Sequence, residues 1–321
     1  MNESPFSRRK LLKNLSLAAG ASLLPATAFS ANESLNAKRP KPAGGFRYCL
    51  NTSTIRTQKL GLVAEIELAA KTGYDAIEIW INTLQQYIDE GKSLSDLRKR
   101  IDDLGIEIAD AIGFAPWIVD NNDQRSAGLE QAKREMGLLA QIGCKRIAAP
   151  PAGATQYPGL DLMKAAERYR ALLDLGQEMG VMPQLEVWGF SQNLSRLSEV
   201  LFVMAECGHP GARILPDVYH LFKGGSDFDG LKLISGRTIE IFHVNDYPAE
   251  PARETMNDSH RVYPGDGIAP LGQILQDLHW PDSPTILSLE LFNRDYWQQD
   301  AALVARTGLE KMKAAVAKAI G

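Results

Sequence analysis

Cysteine is scarce in this chain. Three residues, Cys49, Cys144 and Cys207, are spread over 321 positions. An odd and sparse set builds no disulfide framework, and each reads as a small buried hydrophobe near a predicted strand or helix end. Positive charge is in deficit, with 35 Lys and Arg against 39 Asp and Glu and a net charge of −4. That balance excludes a general nucleic-acid binder, whose affinity rests on neutralising phosphates. No glycine-rich phosphate fingerprint follows the first predicted strand, which argues against a dinucleotide-binding open sheet. No repeat of short period and no low-complexity tract is present. What remains, 45% hydrophobic and 23% charged residues, is ordinary globular composition.

The first residues stand apart. Ser7-Arg8-Arg9-Lys10 precedes a short apolar stretch, Leu15 to Leu24, followed by Ala26-Thr27-Ala28. A basic start, an apolar middle and a small-x-small site make an export signal, and the paired arginines point to the twin-arginine route. The stretch falls short of the roughly 20 residues that span a bilayer. Residues 1–31 are therefore expected to be a signal peptide, 32–44 (NESLNAKRPKPAG) a flexible leader and 45–321 a single folded domain. Loss of residues 1–28, with four cations and one anion, takes the net charge from −4 to −7. The expected location is the periplasm or beyond. Export of a folded chain suits unpaired cysteines and lets a metal be loaded beforehand.

Eight short apolar runs recur, each leading to a helical pattern. They are FRYCLNT (46–52), YDAIEIW (74–80), IEIADAI (106–112), KRIAAPP (145–151), MPQLEVWG (182–189), ARILPDV (212–218), IEIFHVND (239–246) and TILSLELF (285–292). Gly73, Gly105, Gly143, Gly180 and Gly208 close helical patterns just before the next strand, as helix C-termini favour. After the sixth run the helical candidate lies around 227–236. Near-continuous apolar strands are covered on both faces. Eight such units in roughly 275 residues predict an α/β fold, a (β/α)8 TIM barrel.

The active site of such a barrel lies at the C-terminal ends of its strands. Glu186, Asp217, His243 and Glu290 end four consecutive predicted strands, and Glu78 ends the second. A single acid there is commonly a helix cap or a salt-bridge partner. Three converging carboxylates without a cation would repel and raise at least one pKa. A divalent metal removes the conflict. One nitrogen among oxygens favours Mn²⁺, with Mg²⁺, Co²⁺, Fe²⁺ or Zn²⁺ as alternatives, over a thiolate-type structural zinc site. Asp217 is expected to end its strand as a ligand. His220 is expected in the loop beyond, over the same cavity, bonding a substrate hydroxyl. Trp80, Phe114, Trp117, Trp188 and Phe190 form either an apolar wall for sugar C–H faces or ordinary packing. Asn51 and Glu78 either bond sugar hydroxyls or tie loops together.

The segments GYDAIEIW, LEVWG, DVYH, HVND, PGDG and LELF resemble the xylose isomerase-like TIM barrels, in particular their sugar phosphate isomerase/epimerase branch, over roughly residues 46–318. The resemblance implies one divalent metal on Glu186, Asp217, His243 and Glu290, with Glu186 and Glu290 doubling as an acid/base pair. It assigns His220 and Arg261 to substrate oxygens. Asp266 stands in PGDG where many members carry Glu. Export, and the lack of a phosphate cradle, point to a non-phosphorylated sugar, keto-sugar or cyclitol. The expected reaction is isomerisation or epimerisation by proton abstraction next to a carbonyl. Two readings compete: a metal-dependent lyase or dehydratase on a 3-keto-glycoside or keto-inositol, and a non-catalytic periplasmic carbohydrate-binding protein. The related repair endonucleases need several metals, many histidines and a basic face; this chain has five histidines. Expected partners are a small carbohydrate and other copies of the chain, with no nucleic acid and no stable membrane span.

Overall fold

The computed structural model describes residues 45–280 and 282–321. The expected signal peptide and leader lie outside the described residues. The elements in order are β1 Phe46–Asn51, α1 Leu62–Thr72, β2 Ala76–Trp80, α2 Ile81–Asp89, α3 Leu94–Leu104, β3 Glu107–Ile112, α4 Asn122–Gln141, β4 Arg146–Ala149, α5 Leu162–Met179, β5 Met182–Glu186, α6 Leu197–Glu206, β6 Ile214–Leu215, α7 Val218–Gly224, β7 Ile241–Val244, α8 Leu271–Asp277, β8 Thr285–Leu289 and α9 Ala301–Ile320.

All strand pairs are parallel, in two ladders ordered β3-β2-β1-β8-β7 and β4-β5-β6. Two seams close them into a ring. A parallel bridge between Asp217 and His243 joins the sixth strand's end to β7. At the other seam the Arg146 guanidinium donates to Ala109 O at 3.2 Å, binding β4 to β3. The eight expected strands are all present, so the TIM barrel expected from the sequence is the fold observed. The five expected C-terminal glycines all take positive φ, between 61° and 98°, a region other residues enter at a cost.

Two packed regions result. The larger lies between the strands' outer faces and the helices, and includes Leu50, Ile77, Ile147, Leu185 and Leu287. A smaller cluster, Cys49, Ala76, Ala109, Ile112, Ala148, Leu215, Ile241 and Ile286, fills the lumen. Each fully buried large aliphatic side chain contributes about 1.5–3 kcal/mol, so the outer shell carries most of the stability. At the N-terminal end an ion-pair chain links five strand starts. Arg47 pairs with Glu107 (2.7 Å), Glu107 with Arg146 (3.2 Å), Arg146 with Glu240 (2.5 Å) and Glu240 with Arg213 (3.0 Å).

Three local expectations are corrected. The sixth strand is only Ile214–Leu215, because Pro216 lacks the N–H a ladder needs. The helix of that unit begins at Val218, while the expected helix at 227–236 is a short 3-10 turn, Phe228–Leu233. An additional helix, α2, starts immediately after β2. Among the described residues no helix is long and apolar enough to cross a membrane.

On α1, burial raises the Glu65 carboxyl to about 7, against the pull of Arg56. The folded protein thus prefers neutral Glu65, and this contribution is complete below 4.5 and lost as pH rises through 7. Glu65→Gln is expected to raise stability by up to about 3 kcal/mol near pH 8.5 and by little near pH 5. Denaturant melts at the two pH values check this; an equal gain at both would show that burial of charge is not the cause.

Candidate functional site

The site is built at the C-terminal ends of the strands by side chains whose own backbones are held firmly. Asp217 follows Pro216 in extended backbone and caps α7, its Oδ1 accepting from His220 N at 2.7 Å. His220 is therefore in the first turn of a helix, not in a loop, because the cap turns the chain within three residues. The cap also resolves the strand geometry: Asp217 and His220 need not share a strand face to share a cavity. Gly189, after β5, lets α7 approach closely; a Cβ there would stand 2.2 Å from His220 O.

Asp217, His243 and Glu290 each offer a ligand atom, and these atoms lie within 4.8 Å of one another, all buried. His243 is the centre. Its Nε2 meets Glu78 Oε1 at 3.0 Å, and its Nδ1 lies 3.3 Å from Glu290 Oε2 and 3.9 Å from Asp217 Oδ2. Burial alone would lower the imidazole pKa, but Glu78 and Glu290 outweigh it and hold His243 well above its ordinary value. Glu290 shows the counterpart. Burial would raise it, yet His243 and Arg261 hold it well below the usual carboxylate range.

Arg261, fully buried, enters from the loop after β7. Its Nη1 donates to Asp217 Oδ2 at 3.0 Å and Glu290 Oε2 at 2.9 Å. Its Nη2 meets His220 Nε2 at 3.0 Å and Asp258 Oδ1 at 2.5 Å. Accepting from Arg261 at Nε2 leaves His220 with its proton on Nδ1, which is buried and has no partner. Burial and Arg261 lower the His220 pKa, so the ring is neutral.

Glu186 stands outside the close trio. It is buried, and its Oε2 has no hydrogen-bond partner. Burial pushes its carboxyl up to about 8, with Glu290 adding to the rise and His243 and a hydrogen bond from the Trp188 side chain opposing it. The donor set fits a divalent cation: three carboxyls and one imidazole, with His243 Nδ1 and Glu186 Oε2 both buried and unbonded.

Glu78 and Asn51 are fully buried and bond to His243 and Glu290. Glu78 accepts from Asn51 Nδ2 (2.7 Å), Ser288 Oγ (2.6 Å) and His243 Nε2. Asn51 also donates to Glu290 Oε1 (3.2 Å), and its Oδ1 accepts from the Trp80 indole (3.0 Å). Four of the five aromatic candidates form a wall. Ring centroids run from Trp80 to Phe114 (5.4 Å), Trp188 (5.9 Å), Phe190 (5.1 Å) and His220 (5.7 Å). Trp117 is the exception: it packs on Tyr169 inside the core and donates to Pro150 O. Sequence reasoning did not single out Asn245, which donates to Asp217 Oδ2 at 2.8 Å, nor Asp258 or Ser288. Asn245 sits in HVND and could have been found by its place beside His243; Asp258 has no local signal. Asp266, the variant position of PGDG, faces outward and pairs with Lys311.

A family model described as xylose isomerase-like TIM barrel matches residues 66–315. The chain belongs to the xylose isomerase-like TIM barrel family. An inosose isomerase of Bacillus velezensis is 26% identical over 280 residues, covering 85% of this chain and 98% of that protein. A 3-dehydroshikimate dehydratase of Pseudomonas aeruginosa is 26% identical over 260 residues, covering 78% of this chain and 39% of that protein. Among solved structures, IOLI protein with a bound zinc atom superposes with a TM-score of 0.78 at 23% identity, covering 86% of this chain and all of that one.

In this member of the family, Glu78 orients His243 so that Nδ1 faces Asp217 and Glu290. Glu78→Gln is expected to weaken binding of Mn²⁺ or Zn²⁺ about 10–100-fold, as loss of a carboxylate behind a ligating histidine does. Titration calorimetry on the variant measures it; unchanged affinity would separate Glu78 from the ligand cluster.

Proposed function

We propose that this protein is a divalent-metal-dependent isomerase or epimerase acting on a non-phosphorylated sugar, keto-sugar or cyclitol. The observation that carries the reading is the convergence of Asp217, His243 and Glu290 within 4.8 Å, with the buried, unbonded Oε2 of Glu186 in charge contact with His243 and Glu290. The inosose isomerase relative supports the substrate class. Asp217, His243, Glu290 and Glu186 would hold the ion, which when bound supplies Lewis-acid polarisation of a carbonyl and its neighbouring hydroxyl. The oxygen-rich donor set favours Mn²⁺; the zinc in the IOLI structure makes Zn²⁺ the second choice.

The two glutamates divide the proton work by environment. Glu290, kept ionised by His243 and Arg261, takes the proton from the carbon next to the carbonyl. Glu186, whose carboxyl burial raises to about 8 before any ion is bound, returns one to the opposite face or to the neighbouring carbon. Two carboxyls with separated protonation states are what an acid/base pair requires. Arg261 supplies positive charge where the enediolate oxygen develops, and His220 Nδ1–H offers a donor to a substrate hydroxyl. The aromatic wall excludes water from one side.

A second reading keeps every residue and changes the outcome. If the carbanion expels a β-hydroxyl or an aglycone, the enzyme is a dehydratase or lyase, and the Pseudomonas aeruginosa relative favours this. We also propose that residues 1–31 direct export by the twin-arginine route, on the strength of Arg8-Arg9, the short apolar stretch and Ala26-Thr27-Ala28. N-terminal sequencing of protein from a periplasmic fraction tests that; a mature start upstream of Ala28 would overturn it.

The function is tested by incubating the Mn²⁺-loaded protein in D₂O with ketoses, inososes and 3-keto-glycosides and following exchange by NMR. Deuterium at the α-carbon with a new epimer or isomer is expected; loss of water or aglycone would select the lyase. Glu186→Gln and Glu290→Gln are each expected to cut exchange about 10²–10⁴-fold, the second with loss of metal as well. Near-wild-type exchange in either variant would remove that glutamate from proton transfer.

A further inference from the structure

Arg56 lies at the rim, in the 3-10 segment Thr52–Gln58 that follows β1. Its guanidinium stacks over the Trp80 ring at 3.8 Å from the centroid and lies 5.6 Å from that of Phe292. Phe292 also carries Arg261 at 5.1 Å, so one ring lies between the buried guanidinium of the site and an exposed one. Trp80 is in turn anchored to Asn51, and Asn51 to Glu290. Arg56 is thereby placed against the reacting end of the barrel by three residues that also shape it.

The bonding of the two arginines differs sharply. Arg261 uses both terminal nitrogens on four protein partners. The Arg56 side chain makes no hydrogen bond or ion pair among the described residues. The carboxylates whose charge reaches it are Glu290 and Glu65, and neither is in ion-pair contact. Stacking occupies the face of a guanidinium and leaves its edge of N–H donors available. An exposed fork of donors, fixed by an aromatic floor beside the site, is built for a planar anion. Residues 52–58 contain no glycine, so no backbone cradle of the phosphate-binding kind adjoins it.

We propose that Arg56 forms a carboxylate subsite, and that the substrate is a sugar acid or cyclic hydroxy acid with its carboxylate remote from the reacting carbon. This rests on the proton-transfer reading above and narrows its substrate class. The carboxylate meets the guanidinium edge side-on, two N–H donors to two oxygens, while the carbonyl end faces Glu186 and Glu290.

The test uses matched probes on the metal-loaded full protein: D-fructuronate against D-fructose, D-tagaturonate against D-tagatose, with D-fructose 6-phosphate as a third anion. Deuterium exchange gives KM and kcat, and calorimetry gives binding. Wild type is expected to favour each uronate over its neutral partner by at least about tenfold in KM. Arg56→Gln is expected to erase that preference while leaving kcat and the neutral sugars unchanged. Arg56→Lys should restore part of it, since it keeps charge but not the fork. A preference that survives Arg56→Gln, or equal losses for charged and neutral sugars, would overturn the subsite. Stronger use of the phosphate ester than of fructuronate would overturn the carboxylate assignment. Absence of exchange from every probe in wild type would defeat the proton-transfer reading. The subsite then stands or falls on whether Arg56→Gln abolishes uronate binding by calorimetry.

Discussion

His243, with no exposed surface, lies between two carboxylates, its Nε2 hydrogen-bonded to Glu78 and its Nδ1 in ion-pair contact with Glu290 at 3.3 Å. Burying charge in a protein interior is costly unless each charge is paired and hydrogen-bonded, and this site meets the condition by alternation. Glu78, His243, Glu290, Arg261 and Asp217 run anion, cation, anion, cation, anion. Each member is brought by a different element, from β2, β7, the residue after β8, the loop after β7 and the cap of α7. The ring of strands must close for the sequence of charges to close, and the charges in turn fasten strands that share few ladder bonds. The seam between the sixth and seventh strands, with its single bridge at Asp217 and His243, is the point where barrel closure and site assembly are the same event.

The two ends of the barrel use charge for different purposes. At the N-terminal end the Arg47–Glu107–Arg146–Glu240–Arg213 chain alternates in sign and is partly solvent-screened, so each pair contributes modestly. At the C-terminal end the charges are dry, which makes their interactions strong and their protonation states sensitive to small changes. Glu186 and Glu290 illustrate the consequence. They are the same residue type at equivalent places on two strands, yet burial lifts one carboxyl while two neighbouring cations depress the other. Environment alone gives two identical side chains opposite protonation tendencies.

The relatives of this chain include an isomerase and a dehydratase. The rim around the buried charges is made by the aromatic wall from Trp80 to Phe190, His220 on α7, and Arg56 stacked on Trp80. These lie on segments that follow strands rather than on the strands themselves, where variation is tolerated without disturbing the lumen.

By itself the sequence determined the period and the punctuation. Apolar runs flanked by helical patterns and closed by glycine are local properties, so eight strands and their order could be read directly. Ionisable residues at the ends of those runs could be read too, because an acid or histidine inside an apolar strand contradicts its surroundings. Tertiary structure decided what those residues became. Pro216 and the cap at Asp217 shortened the sixth strand and moved His220 onto a helix; α2 appeared where no glycine or proline announced it. Asn245 and Arg261 converged on Asp217 from 28 and 44 residues away, and Trp117 left the expected wall for the core. Those outcomes depend on distances between elements remote in sequence. Burial and pairing across the closed barrel, rather than any local pattern, set the protonation of each group in the site.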